Sequence, residues 1–168
     1  TVIKELDSSS PEYQRCKVRL VELFPELGNG AYFYTQMNNQ VMAVKFAQSY
    51  VDLSLLYAVG DQDLANRENY AELSWFAAMS TYYQKEYETA IQYFQAYLST
   101  TDSDMKRRES AFQGLVFSYY LLKNYDSAKY IASRALETFP NNWNIASAAV
   151  NACVDSKDDT MLSKFVIA

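Results

Sequence analysis

One register of small and aromatic residues occurs three times in this chain and limits what it can become. Ala43, Ala90 and Ala128 anchor it. Three positions before them stand Gln40, Tyr87 and Tyr125, and four positions after them Ala47, Phe94 and Ala132. Seven positions after come Tyr50, Tyr97 and Ala135. The register also reaches backwards, to Tyr34, Thr81 and Tyr119 and then to Ala31, Ala78 and Val116. Steps of three and four are the steps of one helix face, and the register spans two such faces and the break between them. Two antiparallel helices close on each other only where side chains are small, and aromatics fill the space between successive pairs. A lone pair would leave an apolar face in water, so each pair calls for a neighbour. The pattern predicts an all-α chain built as a stack of antiparallel helix pairs.

The breakers agree with this. Four glycines and three prolines punctuate 168 residues, and apolar alternation of the strand kind is scarce. Ser10-Pro11-Glu12 reads as a helix start, with a capping hydroxyl, a proline in the first turn and an acid at the positive helix end. An apolar face then runs through Tyr13, Cys16, Leu20, Leu23 and Phe24, and the expected helix covers 11–24, ending before Pro25. Residues 1–9 read as a lead-in. The rest, 10–168, reads as one domain with repeat units at about 24–59, 70–98, 109–138 and 143–168, the last of them truncated. Ile145, Ala149 and Cys153 line a helix of that fourth unit.

These residues resemble the tetratricopeptide repeat family, whose pattern runs W-x2-L-G-x2-Y, then A-x3-F, then A, then P. The closest unit covers about 109–142, where Leu115, Tyr119, Tyr125, Ala128, Ala135 and Pro140 fall in place. Val116 and Ala132 depart from the pattern, and the units around Ala90 and Ala43 match less fully. Spacing departs as well: Ala90 lies 38 residues before Ala128, and Ala43 lies 47 before Ala90. The excess falls in the links 60–69 and 100–110, and in a second helix that stays periodic from Gln40 to Tyr57. The resemblance implies a right-handed superhelical stack of antiparallel helix pairs, a TPR-like α-solenoid, over roughly residues 24–168.

It also implies where a partner would lie. In that family the first helix of each pair lines a concave groove. The matching positions include Gly28, Tyr32 and Thr35, then Trp75, Met79, Tyr82 and Tyr83, then Gln113, Phe117 and Tyr120, then Ser147 and Asn151. The candidate binding residues are Tyr32, Trp75, Met79, Tyr82, Tyr83, Gln113, Phe117 and Tyr120. The stripe is aromatic and almost uncharged, which suits a peptide with apolar side chains. The competing reading is that the same stripe packs internally or against another chain, because aromatics at helical spacing usually belong to a core. One family subclass clamps carboxylates with Lys, Asn and Arg. The matching positions are Gly28, Tyr32, Phe76, Ser110 and Gly114, none of them basic or amide-bearing, so no such clamp is expected.

Other chemistries find little footing. Histidine is absent, which removes histidine triads, histidine bases and histidine metal sites. Cys16 and Cys153 lie near opposite ends, have no metal spacing and read as small buried hydrophobes. Asp158-Asp159 and the Asp102/Asp104 pair read as helix caps in turns. No glycine-rich phosphate loop is present. The expectation is therefore no catalytic residue, no enzyme, no cofactor and no metal. A net charge of −5 argues against nucleic acid, and Lys106-Arg107-Arg108, the one dense basic cluster, reads as a solvated helix start. No apolar run is long enough to span a bilayer, so no membrane insertion is expected. The expected partner is a protein or peptide, with self-association through repeat edges as a further expectation. The expected function is a scaffold holding a partner in its groove. The alternative is a regulatory tetratricopeptide domain of a larger sensor or regulator, with the groove packed internally or holding a small peptide. The Tyr/Asn-rich composition is also similar to bacterial envelope proteins of this family, which leans the location towards the cell envelope or periplasm without fixing it.

Overall fold

The computed structural model describes residues 9–57 and 69–167, so the lead-in up to residue 8 and the link at 58–68 lie outside the described residues. The described residues form α-helices and turns, with no strand among them. The helices are α1 (Pro11–Gln36), α2 (Gln40–Tyr57), α3 (Tyr70–Tyr83), α4 (Tyr87–Leu98), α5 (Met105–Leu121), α6 (Tyr125–Thr138), α7 (Trp143–Ser156) and α8 (Asp159–Ile167). They divide into two compact units, 1–64 and 65–168, where the sequence leads one to expect a single domain.

One turn is built four times, once in the first unit and three times in the second. Asn38, Lys85, Lys123 and Lys157 take left-handed backbone, with φ of 55°, 64°, 59° and 56°. The next residue donates its N–H to a carbonyl five positions back: Asn39 to Tyr34 at 2.8 Å, Glu86 to Thr81 at 3.0 Å, Asn124 to Tyr119 at 2.9 Å and Asp158 to Cys153 at 2.9 Å. This bond closes the first helix of each pair. The same residue opens the second, because its carbonyl accepts from the N–H of Ala43, Ala90, Ala128 and Leu162 respectively. Side chains reinforce three of these starts. Asn39 Oδ1 accepts from Met42 N at 3.2 Å, Asn124 Oδ1 from Ser127 N at 3.2 Å and Asp158 Oδ1 from Met161 N at 3.0 Å. Glu86 makes no side-chain cap bond.

Ala43, Ala90 and Ala128 thus hold one position relative to the turn, and all three are fully buried. Leu162, the fourth equivalent, is half-buried. Left-handed backbone favours glycine or asparagine, yet three of the four turns carry lysine there, each with its side chain exposed.

In the first unit α1 packs along α2. The Phe24 ring meets Tyr50 edge-on at 5.2 Å, and Tyr34 meets Phe46 at 5.3 Å. Gly30 permits this approach, since a Cβ there would lie 2.3 Å from Phe46 Cδ1. Ser10 caps α1 through Tyr13 N at 3.1 Å. The expected stop at Pro25 does not occur, and the helix runs through it to Gln36. An interior proline removes a helical bond and costs about 3 kcal/mol. Here the ring sits on the exposed side, while Phe24, Gly28 and Ala31 carry one buried face past it. Their burial against α2 holds the helix together across the break. Gly28 is accordingly a packing residue rather than an exposed one.

In the second unit consecutive helices pack on each other from α3 to α8. The first helices also meet, α3 with α5 and α5 with α7, whereas α4 and α6, or α6 and α8, share no contact of that extent. Val116, Ala132, Ala135, Ile145, Ala148 and Ala149 form a buried cluster, with Phe112, Phe117, Ile131, Leu136 and Phe165 against it. Phe94 of α4 is fully buried, worth about 2 to 3 kcal/mol of transfer free energy. It lies where a Cβ on Gly114 of α5 would come within 2.3 Å of its ring. Asp104 and Asn142 cap α5 and α7.

A candidate groove between α3 and α5

The contact between α3 and α5 leaves a cavity of about 170 Å³, lined by Met79, Tyr82 and Tyr83 of α3 and by Ser110, Gln113 and Gly114 of α5. Met79, Tyr82 and Tyr83 fall together because steps of three and four return to one helix face. Tyr82 belongs to an aromatic group, with ring centroids at 5.8 Å from Tyr83, 5.9 Å from Tyr87 and 6.2 Å from Phe94. Burial, followed by the neighbouring Tyr87 and Tyr83 hydroxyls, pushes its phenol above the usual tyrosine value. Tyr83 is 74% exposed. Gln113 accepts a long bond from Asn144 Nδ2 at 3.5 Å. No charged side chain lines the cavity.

Four of the eight expected residues, Met79, Tyr82, Tyr83 and Gln113, therefore line one cavity, and the other four go elsewhere. Trp75 stands one turn before Met79 on α3. The Arg107 guanidinium carbon lies over its ring at 5.5 Å from the centroid, and its buried Nε1 donates to no protein atom. Phe117 packs against the buried cluster instead of lining the cavity, because α7 places Ile145, Ala148 and Ala149 in that cluster. Tyr120 donates its hydroxyl to Asp155 of α7 at 3.0 Å and packs on Tyr125 at 5.9 Å. The bond to Asp155 is the main reason its phenol is raised. Tyr32 belongs to the first unit and is half-buried there. Ser110 and Gly114 were not among the expected groove residues. Their signal lay in the register, which set both at positions matching the carboxylate clamp of the resembled family.

Two side chains of the basic cluster bond within the fold. Arg107 pairs with Asp104 at 3.5 Å and with Glu72 at 4.0 Å, and Arg108 donates to the Thr100 carbonyl at 3.2 Å. Arg107 and Arg108 thus anchor the start of α5. Tyr97 is buried and donates its hydroxyl to Asp102 at 2.9 Å. Burial and that bond push its phenol far up, and Asp102 is held low chiefly by the Asp104 backbone N–H.

The sequence gives no warning of Lys129, which is buried on α6. Its Nζ reaches Asp158 Oδ2 at 2.7 Å, Asp126 Oδ1 at 3.1 Å and Ser156 Oγ at 3.2 Å. It thereby ties α6 to the turn between α7 and α8. The Asp158 bond raises the lysine, and the Lys129 bond lowers the Asp158 carboxyl. Among the described residues no group of three His, Cys, Asp or Glu is placed to hold a metal ion. No helix among them is long and apolar enough to cross a membrane.

Comparison with protein families decides little here. No family model matches the chain, and no curated protein matches it.

Proposed function

We propose that the chain is a tetratricopeptide-like interaction module and that the groove between α3 and α5 holds a segment of a partner protein. One observation carries the reading: Met79, Tyr82, Tyr83 and Gln113, marked by the repeat register, line one uncharged cavity together with Ser110 and Gly114. Its volume suits a single large side chain, well below the roughly 300 Å³ at which small-molecule pockets begin. The tyrosines offer broad contact area with few rotors to freeze, and Gln113 and Ser110 offer donors and acceptors to a peptide backbone.

Two further features support a superhelical stack of the tetratricopeptide kind. The same helix-to-helix turn recurs, and within the second unit the first helices of successive pairs meet more extensively than the second helices do. Closer approach along one side curves a row of pairs and turns the first helices to the concave side. The regulatory alternative gives the same groove to a segment of a larger protein of which this chain is part.

The test is selection from a displayed library of random peptides on the immobilised chain, followed by calorimetry. Selected peptides are expected to carry a large apolar or aromatic side chain and few charges. Tyr83→Ala should weaken them about tenfold or more, the effect of losing a binding anchor. Peptides whose affinity ignores both Tyr83→Ala and Gln113→Ala would overturn the proposal.

A further inference from the structure

Resting on the groove reading above, we propose that the α3–α5 cavity selects a tyrosine side chain of the partner segment, and that Ser110 and Gln113 tell it from phenylalanine by bonding its phenol. The cavity of about 170 Å³ has room for one large side chain. Which side chain fits depends on which polar groups of the lining are already engaged.

Few of them are. Among the described residues the hydroxyls of Tyr82, Tyr83 and Ser110 bond to no protein group. Gln113 uses its Oε1 to accept from Asn144 Nδ2 at 3.5 Å, and its Nε2 donates to no protein atom. Elsewhere on the same two helices, Thr81 donates to the Ala77 carbonyl, Ser118 to the Gly114 carbonyl and Tyr120 to Asp155. The cavity therefore gathers free donors and acceptors, contributed by both helices. Its apolar lining is the Met79 thioether and the Tyr82 and Tyr83 rings, which meet edge-on at 5.8 Å. A third ring entering there extends an edge-to-face group and touches sulfur, and both contacts are favourable.

Elimination narrows the choice. A charged side chain would be desolvated with no opposite charge in the lining, which is costly. Leucine, isoleucine, methionine and phenylalanine would cover Ser110 and Gln113 and leave them unpaired, which is costly as well. Asparagine, glutamine, serine and threonine would satisfy them but bring little apolar body to set against Met79 and the two rings. Tryptophan donates only, so it cannot accept from Gln113 Nε2. Histidine offers both functions, on a smaller ring that gains charge just below neutral pH. Tyrosine brings a large ring and an uncharged hydroxyl that both donates and accepts.

The test starts from peptides selected from a random library on the immobilised whole chain. Binders lost on Tyr83→Ala are expected to share one tyrosine. Changing that tyrosine to phenylalanine in the peptide should weaken binding to the unaltered chain about tenfold, the loss expected when a buried hydrogen-bonding group is left unpaired. In the double variant Ser110→Ala, Gln113→Leu the same change should matter less than about twofold, because nothing is left to bond the phenol. Far-UV circular dichroism checks that the variant folds, and the peptide change on the unaltered chain decides the matter even if it does not. Tyr83-dependent binders without a tyrosine, or binders indifferent to its loss, would overturn this inference and leave the groove reading standing. So would a tenfold gap that persists in the folded double variant. A library that yields no binder dependent on Tyr83 or Gln113 would overturn the groove reading and this inference together.

Discussion

The two units use the same turn and finish it differently. In the second unit the turn joins three helix pairs, and two of their first helices carry a column of small buried residues, nine and five positions before the left-handed residue: Gly114 and Ser118 on α5, Ala148 and Ala152 on α7, whereas α3 has Phe76 and Ser80 there. In the first unit the same turn joins one pair, with a longer α1 and with Asn29 and Phe33, both exposed, at those positions. The turn alone therefore does not make a stack. It fixes two helices against each other through its alanine, and a small residue on that column, as at Gly114 against Phe94, lets the preceding helix close on the pair. Each of the following experiments breaks or sharpens that distinction.

The largest effect is expected at the alanines themselves. Ala43→Leu and Ala128→Leu should each destabilise the chain by about 3 kcal/mol, the upper part of the range for overfilling a packed site. Urea unfolding measures it. Equal losses would support one role in both units, and a tolerated leucine at either site would break the equivalence. Next comes the column of small residues. Gly114→Ala sets a methyl against the Phe94 ring and should cost about 2 kcal/mol, whereas the register-equivalent Asn29→Ala in α1 should cost almost nothing.

The caps come third. Asn39→Ala and Asn124→Ala should each cost about 1 kcal/mol, and Glu86→Ala close to nothing, because only the asparagines bond an exposed helical N–H. Smallest is the left-handed position. Lys123→Gly removes a side chain from strained backbone but frees the unfolded chain, and should leave a net gain of about 0.5 kcal/mol.

Acid and alkali probe the tie between α6 and the α7–α8 turn. The Asp158 carboxyl is lowered in the folded chain, so its contribution is present above the ordinary carboxylate value near ~3.9 and is lost as pH falls through the lower folded value. Lys129 is raised, so its contribution is present below about 10.4 and is lost as pH climbs through the higher folded value. Melting temperature should be level between these limits and fall on both sides. Lys129→Met should flatten both limbs. Limbs of unchanged steepness in that variant would assign the pH dependence elsewhere.

Much of the helical framework could be read from residue types. Alanine at fixed offsets from aromatics marks where helices touch, and Asn39 and Asn124 mark where second helices begin, because burial and capping each demand particular side chains. The groove was half legible for the same reason: spacing places Met79, Tyr82 and Tyr83 on one face of α3. Spacing does not say how deeply a neighbour covers that face, so Phe117 entered the core and Trp75 went under Arg107. Pro25 was misjudged because a local rule for ending helices was outweighed by a buried stripe that continues past it. Lys129's burial was invisible because two of its three partners, Ser156 and Asp158, lie on another helix pair, and Asp126 alone reads as an ordinary surface pair three residues away. Lysine at three left-handed turns hid breaks that glycine would have announced.

The central claim is that α3 and α5, set by these repeated turns, form the seat for a partner segment. Nuclear magnetic resonance of the isotope-labelled chain, titrated with a peptide selected on it, tests that most directly. The expected result is shift changes concentrated at Met79, Tyr83, Ser110, Gln113 and Gly114. Saturable changes centred elsewhere, with these five unmoved, would contradict it.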